Sequence, residues 1–333
     1  MTVERGPVSA GTGAGLEPRL FGLVGAGIVS AGMFSVGGFL PALAPLALVS
    51  ALPLAVQRLQ GGLASACLSA VLAAALVAAA SVPAASAFYL AAMALPCLAI
   101  AEALARGRGL LRGCAFAFFA LVAQVAAGLA LFPAAMAERV LEPIEHLRSD
   151  EMIKQLTAAG TGAEQLEAFK ESVAFWHDAL SVVYPAFWVI AAAVLVTANA
   201  ALLRLYLLRR DPGWLEDGEF ERVRFPLPLV VAFVLAGAAV AVEVLRPAAY
   251  NVLLVVAFFF GLQGLAVVGF YARRLAAPPL LRGLALVLVL VNPWAPQLLA
   301  LLGLFDNWFD FRRFAEPPQG AGPAQGRDSN SRT

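Results

Sequence analysis

Residues 283–305 read GLALVLVLVNPWAPQLLALLGLF, an apolar stretch without a single charged side chain. A membrane helix needs about 20 apolar residues to cross a hydrocarbon core of about 30 Å. A soluble domain has no interior that could bury many such stretches. Six further charge-free apolar runs precede this one: 20–57, 59–101, 113–137, 179–203, 225–242 and 247–272. The first two of these runs are long enough to hold a pair of spans each.

The composition of the 333-residue chain agrees with this pattern. It is 61% hydrophobic and only 14% charged, with a mean hydropathy of +0.82, values far outside those of soluble proteins. The sequence therefore predicts an all-α, polytopic transmembrane helical bundle of about eight spans plus an interrupted C-terminal segment. The expected spans are residues 20–40, 41–56, 62–82, 84–103, 113–135, 180–203, 227–245 and 250–271, followed by the interrupted segment 280–305. Because Pro45 and Pro53 lie in the second of them, we expect it to be bent or to cross only partly.

Three regions follow from this pattern: a flexible N-terminal tail (1–19), a transmembrane helical domain (20–313) and a disordered C-terminal tail (314–333).

Basic residues in short loops mark the cytoplasmic side of a membrane protein. They predict a multi-pass protein of the inner (plasma) membrane with a cytoplasmic N-terminus, and Arg312 and Arg313 favour a cytoplasmic C-terminus. The loop residues concerned are Arg58, Arg106, Arg108, Arg112, Arg204, Arg209, Arg210, Arg222, Arg224, Arg273, Arg274 and Arg282.

The connection 136–178 differs from the other loops because it is long and acidic, which predicts an external position. It also has a helical period, and its apolar stripe runs straight into the span that follows. Two interpretations remain open for this external acidic helical loop: a hairpin that caps the bundle or lies at the interface, and a lid over an outward-facing pocket. The stripe comprises Leu166, Phe169, Val173, Trp176 and Leu180.

Several function classes are disfavoured by the residue inventory. The net charge of +1 gives no field for nucleic acid, and no glycine-rich phosphate loop is present. His146 and His177 both lie outside the spans, which excludes a His/Cys metal cage within the membrane. Ser30 has no histidine or lysine in any span to activate it. We therefore expect no metal, no cofactor and no enzyme activity.

Polar side chains within the apolar runs are the candidate ligand-binding residues, because such groups are costly in lipid. They either line a polar cavity or bond to one another in a dry interior. Near helix ends, ion pairs are the alternative: Glu102 with Arg106, and Glu243 with Arg246. The candidates are Gln124, Asn199, Glu243, Gln263 and Asn292, the last beside a helix break that Pro293 and Pro296 predict as a kink or a hairpin.

Two further surfaces are candidates for partner docking. Small residues at Gly22, Ala26 and Ser30 follow a four-residue spacing that suits close helix packing, either within the chain or against a partner. The C-terminal residues Asp306, Trp308, Asp310 and Arg312 form either an interfacial anchor or a coupling surface, and we expect Asp310 to pair with Arg313.

The C-terminal third also resembles a known family. The sequences FFFGLQGLA (258–266) and DNWFDFR (306–312) resemble those of the YybS-like family of bacterial predicted membrane proteins, a domain of unknown function. That family is in turn similar to the substrate-binding membrane subunits of energy-coupling-factor vitamin transporters. The resemblance implies that the face of Gly22, Ala26 and Ser30 docks a transmembrane coupling partner, and it transfers no ligand residues.

The leading functional prediction is a transport-type membrane subunit that binds a small molecule and has no ATPase of its own. Its partners would be the lipid bilayer and possible membrane or ATPase subunits. The alternative is a membrane scaffold that recruits cytoplasmic or envelope proteins.

Overall fold

The computed structural model describes residues 16–215, 220, 223–275, 278, 281, 283, 291–292 and 294–312, with side chains from residue 20 onward. Every regular element in these ranges is a helix. Seven helical stretches there are long and apolar enough to cross a membrane. In an 18-residue apolar part of each stretch, only 11% to 39% of the residues are buried by the protein. Most of these residues are therefore accessible to lipid. The predicted all-α polytopic bundle is confirmed.

The chain divides into two compact units, Met1–Glu219 (unit 1) and Phe220–Thr333 (unit 2). The region 20–313, which was predicted as one helical domain, is therefore divided between the two units. The predicted tails 1–19 and 314–333 lie mostly or wholly outside the described residues, although the first helix already begins at Leu16.

In its described residues, unit 1 contains ten α-helices. Alanine-rich helices pack closely in its core, where α1 lies against α4 and α6 against α7. Glycines permit this approach, since a Cβ on Gly27 would lie 3.0 Å from the carbonyl oxygen of Ser69. The helices are α1 (Leu16–Phe39), α2 (Ala44–Leu48), α3 (Leu52–Gly61), α4 (Leu63–Ala80), α5 (Pro83–Phe88), α6 (Leu95–Ala105), α7 (Leu110–Leu131), α8 (Pro133–Arg148), α9 (Asp150–Ala158) and α10 (Ala163–Arg210).

The helix α10 has 48 residues, which corresponds to a length of about 72 Å at 1.5 Å per residue. Its apolar part, 179–203, suffices for one span, so the residues before it extend beyond the membrane. The expected continuation of the apolar stripe into the span is confirmed, because one helix contains both. The external position of the connection stays a prediction. Among the five residues of the stripe, Trp176 differs from the others because its side chain is exposed, to 54%. Helix α10 packs against α8. Within the span part of α10, the indole Nε1 of Trp188 donates to the carbonyl of Met136 at 3.0 Å.

The described part of unit 2 is built from α11 (Leu227–Ala239), α12 (Arg246–Arg274) and α13 (Ala295–Phe309). The predicted span 227–245 differs from the structure, because α11 has only 13 residues. The chain leaves the helix in a turn, and the guanidinium of Arg246 donates to the freed carbonyl of Val240 at 3.2 Å. Capping the helix end in this way replaces the predicted ion pair of Glu243 with Arg246, which is absent among the described residues.

The helices α12 and α13 meet at two glycines. A Cβ on Gly264 would lie 2.0 Å from the carbonyl oxygen of Leu299, and one on Gly303 would lie 1.9 Å from that of Phe260. Near the C-terminal ends of both helices, the hydroxyl of Tyr271 donates to the carbonyl of Phe311 at 2.6 Å. This bond joins the two ends.

The predicted break before α13 is present. The side chain of Asn292 accepts from the N–H of Trp294 at 2.9 Å, and α13 begins directly afterwards. Residues 284–290 and Pro293, which decide between a kink and a hairpin, lie outside the described residues.

Candidate functional site

The second span is broken between α2 and α3, and proline chemistry explains the break. In a continuous helix, the carbonyl of Val49 would accept from residue 53, but Pro53 has no N–H. The N–H of Leu52 bonds to the carbonyl of Val49 instead, at 3.1 Å. This shift frees the carbonyls of Leu48 and Ser50, which a continuous helix would have used. The expectation that this span is bent is confirmed.

Side chains from other helices satisfy the freed carbonyls, as backbone in the membrane requires. The amide Nδ2 of Asn199 on α10 donates to the carbonyl of Leu48 at 2.8 Å. The hydroxyl of Ser30 on α1 donates to the carbonyl of Ser50 at 2.7 Å. The break is therefore held from two different helices.

The fourth predicted span, 84–103, contains a second irregularity. Residues Tyr89–Ala94 form a π-helix between α5 and α6, and the N–H of Leu95 bonds to the carbonyl of Leu90. Since Pro96 has no N–H, the carbonyl of Ala91 is left without its helical donor. The side-chain amide of Gln124 on α7 donates to it at 3.1 Å.

The two irregular segments meet in a group of buried side chains, here called the polar cluster: Ser30, Ser50, Tyr89, Cys97 and Asn199. Ser30 and the phenol of Tyr89 share a short hydrogen bond, and the thiol of Cys97 lies 3.7 Å from Oδ1 of Asn199. All five side chains are at most 4% exposed. None of their hydrogen-bond partners among residues 16–215 is charged, so the cluster is polar and neutral.

Aromatic rings border the polar cluster on one side. The ring of Phe34 lies edge-on to that of Tyr89, with centroids 5.1 Å apart, and 6.5 Å from that of Phe88. The cluster therefore combines hydroxyl and amide groups with neighbouring aromatic rings.

Ionic contacts fasten the end of α3 that lies away from the break; we call this group the latch. Glu102 on α6 pairs with Arg58 and, at 2.6 Å, with Arg106, which confirms the predicted pair of Glu102 and Arg106. Beside it, the amide of Gln60 donates to the hydroxyl of Tyr206 on α10 at 3.1 Å. The latch thus joins α3 to two neighbouring helices.

Unit 2 contains a separate polar network, here called the C-terminal clamp: Arg224, Gln263, Asp306, Asp310 and Arg312. Asp306 accepts from Gln263 at 3.1 Å and from Arg312 at 3.0 Å, while Asp310 pairs with Arg224. Asp310 has a φ of 45°, which ends α13 and turns the chain so that Arg312 folds back onto Asp306. Arg313, the partner predicted for Asp310, lies outside the described residues.

Burial of Arg312 lowers the pKa of its guanidinium from the ordinary value, and the carboxylate of Asp306 opposes this shift. A second guanidinium contact goes to the backbone, since Arg312 donates to the carbonyl of Val223 at 2.8 Å. The clamp therefore fastens the chain before α11 to the end of α13.

The five candidate ligand residues lie in different surroundings. Asn199 belongs to the polar cluster, and Gln124 borders it through the π-helix. Gln263 is buried in the C-terminal clamp, whereas Glu243 and Asn292 are exposed at helix ends. In the described residues, Gln124, Asn199 and Gln263 bond to backbone or to other side chains and not to one another.

The candidate docking residues are also distributed unevenly. On α1, Gly22 is exposed and Ala26 half-buried, but Ser30 points into the polar cluster. At the C-terminus, Asp306 and Arg312 are buried, whereas Trp308 is 57% exposed. Docking to a partner at the exposed positions stays a prediction.

Sequence reasoning missed Ser50 and Tyr89, because a lone hydroxyl in an apolar run carries no pattern. Pro53 and Pro96 were the available signal, since each marks a place where a carbonyl loses its donor. The close approach at Gly264 and Gly303 was missed as well, because a glycine in an apolar run does not reveal which helix it meets.

The model of one family, described as a predicted membrane protein family (DUF2232), matches residues 28–307. The match includes the polar cluster, the latch and the beginning of the C-terminal motif. No curated protein and no solved structure matches the chain. The expected relation to a family of predicted membrane proteins is confirmed, and the similarity to energy-coupling-factor subunits stays a prediction. Since the match covers more than half of its length, the chain belongs to the predicted membrane protein family DUF2232.

Proposed function

We propose that this protein is a transport-type membrane subunit that binds a small molecule at the polar cluster of unit 1. The observation that carries the proposal is the broken second span, whose freed carbonyls lie beside buried hydroxyl and amide groups. In transporters, discontinuous helices often form the binding site near the middle of the membrane. The geometry supports binding rather than catalysis, because the hydroxyl of Ser30 bonds to a backbone carbonyl and a phenol.

The cluster also restricts the chemistry of its ligand. A charged molecule would lose its hydration there without meeting an opposite charge, which is costly in a low-dielectric interior. The donors of Ser30, Tyr89 and Asn199 are used within the protein. Their oxygens can still accept hydrogen bonds from a neutral molecule, and Phe34 offers a ring face. We therefore expect a neutral ligand with hydroxyl or amide groups.

The remaining parts of the proposal concern placement and energy. The arginine-rich loops assign the N-terminus to the cytoplasmic side of an inner membrane. Nothing in the sequence resembles a nucleotide-binding loop, so a partner subunit would supply any energy from ATP. The exposed Gly22 on α1 suits close contact with such a membrane partner.

Native mass spectrometry of the protein purified from its own membranes tests the proposal. We expect the wild-type protein to release a neutral small molecule that the Ser30→Ala variant retains at least tenfold less. Ser69→Ala is the matched control, because Ser69 is equally buried but donates to the carbonyl of Leu23, outside the cluster, at 2.8 Å. Wild-type protein without a bound molecule, or equal retention by both variants, would contradict the proposal.

The scaffold alternative makes a different prediction for the same preparation. A scaffold would release no small molecule, and it would lose a protein partner when the exposed Trp308 is replaced by Ala.

A further inference from the structure

The half-helix α3 is bounded by two points at which the backbone leaves helical geometry. On one side lies the break that frees the carbonyls of Leu48 and Ser50. On the other side lies Gly62, with a φ of 87° and a ψ of 172°, a conformation that is accessible essentially only to glycine. A rigid segment between two such points can move as a body, because few dihedral angles need to change.

One face of α3 covers the interior of unit 1. Leu54 and Ala55 are fully buried, and Gln57 is 6% exposed. Directly before this face, Ser50 belongs to the polar cluster. Leu54 lies in the same buried core as Tyr89 and Cys97 of the cluster, and Leu52 packs against that core. Displacing α3 would therefore expose this side of the cluster.

The contacts at the far end of α3 are of a kind that can open. Arg58 and Glu102 have side chains that are 16% and 20% exposed, so water can solvate both charged groups when the pair separates. An ion pair at such a boundary is weaker than one in a dry core, and its strength depends on both charges. The latch therefore closes α3 against α6 reversibly.

We propose that α3 is the gate of the polar cluster and that rupture of the ion pair between Arg58 and Glu102 opens the cluster to the side on which the latch lies. The basic-residue bias assigns that side to the cytoplasm. This inference rests on the proposed function, because a gate matters only if the cluster holds a ligand. It adds the side of release and the residues that control it.

Cys97 is a natural reporter for this movement. It is one of three cysteines in the chain, it belongs to the cluster, and it is only 2% exposed. Replacing Cys67 and Cys114 by alanine leaves Cys97 as the sole thiol. A membrane-impermeant maleimide, added to inverted membrane vesicles, then measures how often the cluster is reached from the cytoplasmic side.

We expect slow labelling in this single-cysteine parent and labelling at least tenfold faster after Glu102→Gln or Arg58→Gln. Arg58→Lys keeps the charge and should stay slow. Glu142→Gln is the matched control, since Glu142 forms an exposed helical pair with Arg139 at 3.6 Å, and its labelling rate should equal that of the parent.

Two results would overturn the gate. One is an unchanged labelling rate in both Glu102→Gln and Arg58→Gln. The other is acceleration that is equal from the outer face, measured on intact cells, because a loosened fold would expose Cys97 from both sides. The outcome also separates the two proposals: a ligand that depends on Ser30, together with unchanged labelling, rejects only the gate. Accelerated labelling in a protein that binds nothing rejects only the proposed function.

Discussion

Pro53 removes a single N–H from the second span, and the consequences reach α1 and α10. The carbonyls freed by the break attract Ser30 and Asn199, whose burial would otherwise be unfavourable. Removing either side chain would leave a buried carbonyl unsatisfied, which costs about 1–3 kcal/mol. At the residue scale, the burial of Ser30, Asn199 and Gln124 is therefore explained by backbone defects that prolines create.

Glycine acts at the same scale in unit 2. We predict that Gly303→Ala destabilises the protein by about 1–3 kcal/mol or more, because the added methyl group would overlap the backbone of Phe260 and push α12 from α13. Thermal unfolding in detergent measures this effect. Gly261→Ala is the control on α12, because a Cβ there meets no atom within 4 Å; equal melting temperatures for the two variants would refute the tight crossing.

Individual helices were predicted best where the pattern was long. The stripe through Leu166 and Val173 correctly indicated a helix that continues into the next span, because the helical spacing of apolar residues runs without interruption into the apolar run. The end of α11 could not be predicted, since residues 227–242 remain apolar beyond Ala239. The side chain of Arg246 caps that end by donating to the carbonyl of Val240, and an apolar pattern does not indicate such a bond.

The hinge of α3 gives a prediction for this element. We expect Gly62→Ala to lower the free energy of unfolding by about 1–3 kcal/mol, because alanine does not tolerate the backbone conformation of Gly62. The surroundings are open, so strain is the only cause. Gly32→Ala on α1 also meets open space but has ordinary helical geometry, and its melting temperature should stay level or rise slightly. Equal losses in both variants would argue against the hinge.

At the scale of the whole molecule, the sequence established the membrane setting and the helical class through its apolar runs alone. The candidate site was predictable only in part. Asn199 was identified because an amide in lipid demands a partner, but its association with Ser30, Ser50 and Tyr89 depends on how four helices meet. The family match to residues 28–307 supports the membrane setting.

The membrane topology underlies every proposal, and the lysines offer the most direct test of it. Both lysines of the chain, Lys154 and Lys170, lie in the acidic connection that is predicted to be external. A membrane-impermeant amine reagent on intact spheroplasts should modify both of them. In the Arg106→Lys variant, the introduced amine should be modified only after permeabilisation. Modification of that introduced amine in sealed cells, with Lys154 and Lys170 protected, would contradict the account.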